Sequence, residues 1–514
     1  MTRSKPALGL ALLFLHLLLI WPAYQNWPST WMNDEAYVVL GAQHWLRGEW
    51  PYRDWLTHVS PGSYCLTVPW FWLWGDGQLG TRSLMGLLAA LQGLLVWELA
   101  RPLTGLNRVL VWLCWAVLGL LEIPILNYHW FSLFCYTLAV ASARAWVEGR
   151  RTAAPWLGAG VALAGWSLQS EGLAGCLLVG AVWLRWRPPG LRRVIGALLM
   201  TSLVLWLPFL PWAGQVLEQN VLFMRGHQSS ANFAYSWSEL APSLEAAQLS
   251  SWQADPCGWC YAWLLVFWRG LKYNALPLLV VSGCWRARHP EQRSQQVLLL
   301  GLIVLALANR NRQTLHYCAY LLPLGFPCII WELSHWAGFR RWRWLLASTL
   351  VAFWGLHGWL YLRDNCWAVD TPAGSYWTDD PNQRLGHQVL GSWLEDIRVR
   401  GQEVVCWPYS PSLYSLWKMP NPLPEPVLYP TEVGLPEAER AAQILARRQV
   451  GWMIYIPVDG TTAARERNLQ PAHFNALQQQ FYELLARDYE LVQRVSILHL
   501  LRRRGQAGAR PGTS

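Results

Sequence analysis

Charge is what this sequence has least of. Only 14% of its 514 residues are Asp, Glu, Lys or Arg, against about a quarter in ordinary soluble domains. That shortage excludes a plain water-soluble globule. With 53% apolar residues, it leaves a polytopic membrane protein. No small-residue cleavage site follows the basic start and apolar core of "MTRSKPALGLALLFLHLLLIWPAYQNW", so the segment reads as an uncleaved first transmembrane helix. No second cysteine pair accompanies "CGWC", Cys257 to Cys260. A zinc site takes about four ligands, so a disulfide is the better of the two readings there. Most of the 11 cysteines lie in apolar runs such as "LVWLCWAVLG", where they act as small hydrophobes. No short repeat is visible.

Tryptophan, by contrast, is abundant at 38 residues. Some of these rings suit the two membrane interfaces, but many must pack inside a helical bundle. A spanning helix needs about 20 largely apolar residues. On that criterion the chain holds about eleven spans, at roughly 7–24, 80–100, 107–126, 128–147, 155–170, 171–186, 192–212, 262–284, 295–309, 317–335 and 343–362.

The basic residues sort by side. "ARAWVEGRR", "RWRPPGLRR", "WRARHPEQR" and "FRRWRWL" occupy every second loop, on the side of the "TRSK" start. The positive-inside tendency makes that side cytoplasmic. The formal charge of +10 is therefore topogenic, and a nucleic-acid partner is not expected. The long segments then fall outside.

The domain reading follows from these placements. A transmembrane unit covers about 1–362, with an outer loop at about 25–79. An outer α/β domain covers about 363–503, and a disordered tail about 504–514. Within the outer domain "EVVCWPY", "GWMIYIPV" and "VSILHLLRRR" read as strands. "NQRLGHQVLGSWLEDIRVR", "EAERAAQILARRQ" and "FNALQQQFYELLARDY" read as amphipathic helices.

Against this background "WMNDEAYVVLGAQHWLRGEWPYRDW" places Asp34 and Glu35 side by side just past the first span. An acid pair there is costly unless it stays hydrated or does chemistry. One reading is a solvated helix start. The other is a carboxylate that takes a proton from an acceptor hydroxyl while nearby cations receive a phosphate leaving group. Further outer-side candidates follow from topology. Gln169 and Glu171 in "LQSEGL" lie at a tight turn between two spans and suit a wet cavity. Arg310, Arg312, His316 and Tyr317 in "NRNRQTLHY" put cations where few are expected. Either phosphate recognition or lipid head-group contact accounts for them.

The stretch from "NDEAYVVLG" through "RDWLTHVSPGSYCLTVPWFWLWGDGQLGTRSLMG" resembles the first outer loop and second helix of the GT-C membrane glycosyltransferases. The resemblance is greatest to the protein O-mannosyltransferases and lipid A aminoarabinose transferases. Its matching pieces are Asp34–Glu35, Tyr52–Asp54, Ser60–Tyr64, Gly75 and Arg82, and "HYCAYLLPLGFP" resembles a late helix of the same proteins.

The resemblance implies an α-helical GT-C bundle in a plasma (inner) membrane, with its active site facing the periplasm or exterior. It implies inverting transfer from a sugar on a polyprenyl phosphate to a hydroxyl of a glycan, lipid or protein. Asp34 matches the general base and Glu35 its neighbour, while His58 and Arg82 either meet the donor phosphate or serve as an exposed loop histidine and a cap on the outer end of a helix. "LNYHW", Asn127 to His129, departs from relatives that carry an acid in this loop, which weakens the case for a divalent metal. No cofactor is certain, and a divalent metal is compatible with the acid pair but not supported. The rival reading is a lipid or polysaccharide transporter or flippase. Such a protein should carry mid-membrane charges and internal repeats, and neither is visible.

Overall fold

The structure, a computed structural model, describes residues 33–57, 59–103, 105–119, 125–222, 253–267, 292–308, 317–336, 338–364, 367–378, 381–407, 411–423, 447–455, 487–495 and 498–505, with a few isolated positions elsewhere. The spans expected at about 7–24 and 262–284 lie largely outside these residues. So do the two amphipathic helices expected in "EAERAAQILARRQ" and "FNALQQQFYELLARDY".

Up to Asp364 the described residues form a helical unit with twelve α-helices of about 12 or more residues each. The segment expected as an outer loop supplies α1 (Asn33–Leu46) and α2 (Gly62–Trp74). The bundle follows with α3 (Gln78–Leu99), α4 (Gly105–Leu118), α5 (Tyr128–Val147) and α6 (Ala153–Ser167). Then come α7 (Gln169–Trp186), α8 (Leu191–Trp206), α9 (Pro256–Phe267) and α10 (Arg293–Ala308). A 3-10 turn, Tyr317–Leu321, leads into α11 (Leu322–Ser334), and α12 (Phe339–Asp364) closes the unit.

Among the described residues three helices are long and apolar enough to cross a membrane: Gln78–Leu99, Leu191–Asn220 and Phe339–Asp364. The second of these continues α8 through a 3-10 stretch, Leu207–Trp212. Pro208 and Pro211 tighten the chain there because each lacks a donor for the α ladder.

The helices pack closely because small residues face one another. A Cβ on Gly158 of α6 would lie 2.2 Å from the Val194 carbonyl oxygen of α8. A Cβ on Gly172 of α7 would lie 2.4 Å from Cα of Gly165 in α6. Without a hydrophobic drive between helices in lipid, such contacts and interhelical hydrogen bonds supply the association. Gln92 Nε2 of α3 donates to Thr137 Oγ1 of α5 at 2.9 Å. Tyr136 Oη of α5 donates to the Gly301 carbonyl of α10 at 2.8 Å. The outer faces of α8 and α12 are bare and apolar, with Leu199, Leu203, Trp344 and Leu345 more than half exposed. Lipid is the natural cover for such surfaces.

Helix α5 joins two unlike ends of the bundle. With 20 residues it is about 30 Å long. At its C-terminal end the buried Arg144 donates to the Leu99 carbonyl at 2.6 Å and pairs with Glu148 at 3.2 Å. At its N-terminal end lies the site described below.

The chain after α12 forms a hairpin of β1 (Trp367–Val369) and β2 (Tyr376–Thr378), then α13 (Pro381–Val399), β3 (Val404–Trp407), α14 (Pro411–Trp417), β4 (Trp452–Tyr455), β5 (Tyr489–Val495) and β6 (Leu498–Arg503). The sheet order is β3-β4-β6-β5, with β3 parallel to β4 and the other pairs antiparallel. Leu390, Leu394 and Ile397 of α13 lie on one helical stripe and are about 1% exposed, so they form the core with Val404, Ile454 and Leu500. The three expected strands and the helix at 381–399 are present. The β1–β2 hairpin and strand β5 were not expected.

Candidate active site

Helix α1 is buried throughout from Glu35 to His44. An acid in that setting must be matched by donors or counter-charge. Glu35 Oε2 accepts the Leu126 backbone N–H at 2.9 Å, and its Oε1 lies 3.3 Å from Arg82 Nη2. The Glu35 side chain is 0% exposed and that of Arg82 8%. Burial raises the Glu35 carboxyl above its ordinary value, while Arg82 and the Leu126 amide pull it back without cancelling the rise. Glu35 is therefore not a solvated loop acid. It ties α1 to α3 and to the segment that enters α5.

The entry to α5 is itself built from polar contacts. Asn127 caps the helix, its Oδ1 accepting the Trp130 N–H at 3.1 Å. Its Nδ2 donates to the Tyr320 hydroxyl at 2.8 Å. His129 stacks on the same Tyr320 ring at 4.8 Å, with Trp130 edge-on at 4.9 Å. Tyr320 belongs to the 3-10 turn Tyr317–Leu321. The junction before α5 thus joins the buried acid of α1 to the turn that follows "NRNRQTLH".

A second polar group holds the stretch between α1 and α2. The Thr57 N–H donates to Gln219 Oε1 at 2.9 Å, and Ser60 Oγ donates to Asn220 Oδ1 at 3.4 Å. Gln169 Nε2, in the first turn of α7, donates to the same Asn220 oxygen. Residues on both sides of position 58 are therefore anchored to the end of the long α8 span. Glu171 is 2% exposed, and Ser170 Oγ donates to its Oε2 at 2.6 Å. Its place in the first turn of α7 favours a negative charge.

The expected site residues distribute as follows. Glu35 and Arg82 are brought together, and Gln169 joins the Asn220 group. Asp34 lies on α1 and Tyr317 in the 3-10 turn by their backbone, and their side chains lie outside the described set. His58, Arg310, Arg312 and His316 also lie outside the described residues. Asn127, Tyr320, Gln219 and Asn220 were not singled out as site residues from the sequence. An Asn directly before the apolar run "YHWFSLF" is a helix-start signal and could have marked Asn127. Among the described residues no cluster of three or more His, Cys, Asp or Glu could hold a metal ion.

No protein-family model matches the chain, and no curated protein matches it in sequence. Solved structures do match. The crystal structure of ArnT from Cupriavidus metallidurans bound to undecaprenyl phosphate aligns with a TM-score of 0.54 and 15% identity, over 99% of this chain and 100% of that one. The apo structure of the same protein aligns with a TM-score of 0.53 and 14% identity, over 97% and 98%.

The fold is similar to that of ArnT. ArnT is a lipid A aminoarabinose transferase of the GT-C fold, one of the two groups that the acid pair and outer loop resemble in sequence. The likeness to ArnT extends past the first hundred residues to the C-terminal sheet. At this identity it carries the architecture and leaves the individual residues to be argued from their own geometry.

Proposed function

We propose that the chain transfers a sugar from a polyprenyl-phosphate-linked donor to an acceptor hydroxyl at the outer face of a plasma membrane, with inversion. The acceptor oxygen attacks the anomeric carbon, its proton passes to Asp34, and the sugar–phosphate bond breaks with its electron pair left on the polyprenyl phosphate. Arg82, His58, Arg310, Arg312, His316 and Tyr317 are the groups assigned to that phosphate, and Gln169 and Glu171 to the cavity wall. The observation that carries the reading is the anchoring of α1 by Glu35. A fully buried carboxylate fixed by Arg82 and the Leu126 amide holds the neighbouring Asp34 at the end of the bundle. The whole-chain likeness to ArnT bound to undecaprenyl phosphate supports a lipid-linked donor.

The proposal includes about eleven crossings, a membrane unit to about residue 362 and an outer α/β unit beyond it. A label placed after Gly508 should be reachable from outside intact spheroplasts. Labels in "VEGRRT" and "RARHPEQ" should not be. The opposite labelling pattern would put the acid pair on the wrong side for a donor in the outer leaflet.

The decisive experiment is transfer by purified protein from a panel of polyprenyl-phosphate sugars to membrane extract. Within it, we expect Arg310→Ala and Arg312→Ala each to weaken donor use about tenfold or more, since hydrogen bonds between two charged groups are about twice as strong as neutral ones. Arg150→Ala and Arg192→Ala, in the basic loops, should have little effect. Unchanged donor dependence in both Arg310 and Arg312 variants at normal expression would remove them from the site. A transporter or flippase would move lipid without forming a glycosylated product at all.

A further inference from the structure

The C-terminal unit reaches into the elements that carry the acid pair. Asp76 lies in the turn between α2 and α3, and its carboxylate bridges two donors. Gln43 Nε2 of α1 donates to Oδ2 at 2.8 Å, and Lys418 Nζ donates to Oδ1 at 2.9 Å. Gln43 follows Glu35 by eight residues, about 12 Å along the same helix. Lys418 directly follows α14 and takes φ +49°, a left-handed conformation unusual for a residue with a side chain. Partial burial raises the Asp76 carboxyl, but Lys418 and Gln43 outweigh it, and the group rests below its ordinary value.

Two further contacts surround this bridge. The Gln78 N–H at the start of α3 donates to the Ala373 carbonyl at 2.7 Å, and the Ala373 N–H donates to the Leu416 carbonyl of α14 at 3.1 Å. A Cβ on Gly77 would meet that Ala373 oxygen at 2.6 Å, so only glycine allows the approach. Helix α1 itself is shared between two cores. Val38 packs in the bundle core, while Leu40 packs with Val369, Leu390, Leu413 and Leu416 of the C-terminal unit.

We infer that the C-terminal unit is a positioning element for the acid pair, holding α1 in register through an Asp76 bridge between Gln43 and Lys418. This rests on the proposed transfer for what α1 does there, but the bridge can be tested by itself. Lys418 is 39% exposed and Asp76 28%, and exposed pairs add little to folding. Removing the bridge should leave the fold intact and loosen the placement of α1. A shift of about 1 Å in a catalytic group can cost about 10²-fold in rate. Gln43, Asp76 and Lys418 are thus positioning residues that touch neither donor nor acceptor.

The test uses the full chain in lipid nanodiscs, comparing Lys418→Met, which keeps the stem and removes the charge, with Lys418→Arg, which keeps the charge. Two readouts are taken: amide hydrogen exchange over residues 36–44, and kcat and KM for a polyprenyl-phosphate sugar. Lys418→Met should speed exchange along α1 and lower kcat about tenfold with donor KM within about twofold. Lys418→Arg should stay near wild type in both. Unchanged α1 exchange in Lys418→Met overturns the inference, as does a loss of kcat with α1 exchange intact. If the wild-type protein transfers no sugar from any donor, the proposed function falls. The exchange comparison then decides the bridge alone.

Discussion

Asp34→Asn should lower sugar transfer by about 10²- to 10⁴-fold, the usual contribution of a general base, at matched amounts of folded protein. Asn keeps the size of the side chain and most of its hydrogen bonding but has no basic oxygen to accept the hydroxyl proton. Stability should change little. Asp34 is the second residue of α1, where a carboxylate gains only about 0.3–1 kcal/mol from the helix dipole. The large expected loss in rate and the small loss in stability separate chemistry from folding. The measurement is product formation from a polyprenyl-phosphate sugar, with thermal stability followed in parallel. Wild-type transfer by Asp34→Asn would sink the mechanism and return the acid pair to a helix start. A variant that neither folds nor inserts would instead give the pair a structural role.

Part of the helical bundle was legible in the sequence because long apolar runs mark helices, and three of the described helices are long and apolar enough to cross a membrane. The expected span at 128–147 coincides with α5, and those at about 80–100 and 155–170 differ from α3 and α6 by a few residues. The start of α5 is marked by Asn127, whose Oδ1 accepts the Trp130 N–H, whereas α3 and α6 begin without a side-chain cap. The C-terminal sheet was harder to read. Strand β5 follows directly on a segment with helical periodicity, and its register with β6 breaks between Leu491 and Gln493, so no clean alternation marks it. The β1–β2 hairpin is only three residues on each side, too short for a periodic signal. The acid pair was legible as an anomaly, because two carboxylates beside an apolar run need a reason. The partner of Glu35 was not. Leu126 offers only a backbone N–H, 91 residues away in sequence, and a backbone donor leaves no trace in residue type.

The burial of Glu35 changes what its substitution should do. From sequence, Glu35→Gln is expected to be milder than Asp34→Asn if Glu35 only tunes its neighbour, because two close carboxylates raise one another's pKa. In the structure the carboxylate has one oxygen on the Leu126 N–H and the other facing Arg82 at 3.3 Å. An amide has only one acceptor oxygen, so whichever way the substituted side chain turns, its NH₂ meets one of those two donors. Breaking a buried pair typically costs about 3–5 kcal/mol, because a charge stays in place after its counter-charge is removed. We therefore expect Glu35→Gln to lower thermal stability in detergent and to lower transfer with it, and Arg82→Met to do the same. Replacing both members removes the buried charges together, and such replacements are often close to neutral. The double variant Glu35→Gln/Arg82→Met should thus be more stable than the sum of its parts, a coupling that groups in contact show and distant ones do not. Its transfer should remain low, because Arg82 is also assigned to the donor phosphate. Stability losses that simply add would show that the two side chains are not a unit, and full activity in the stable double variant would remove Arg82 from donor recognition.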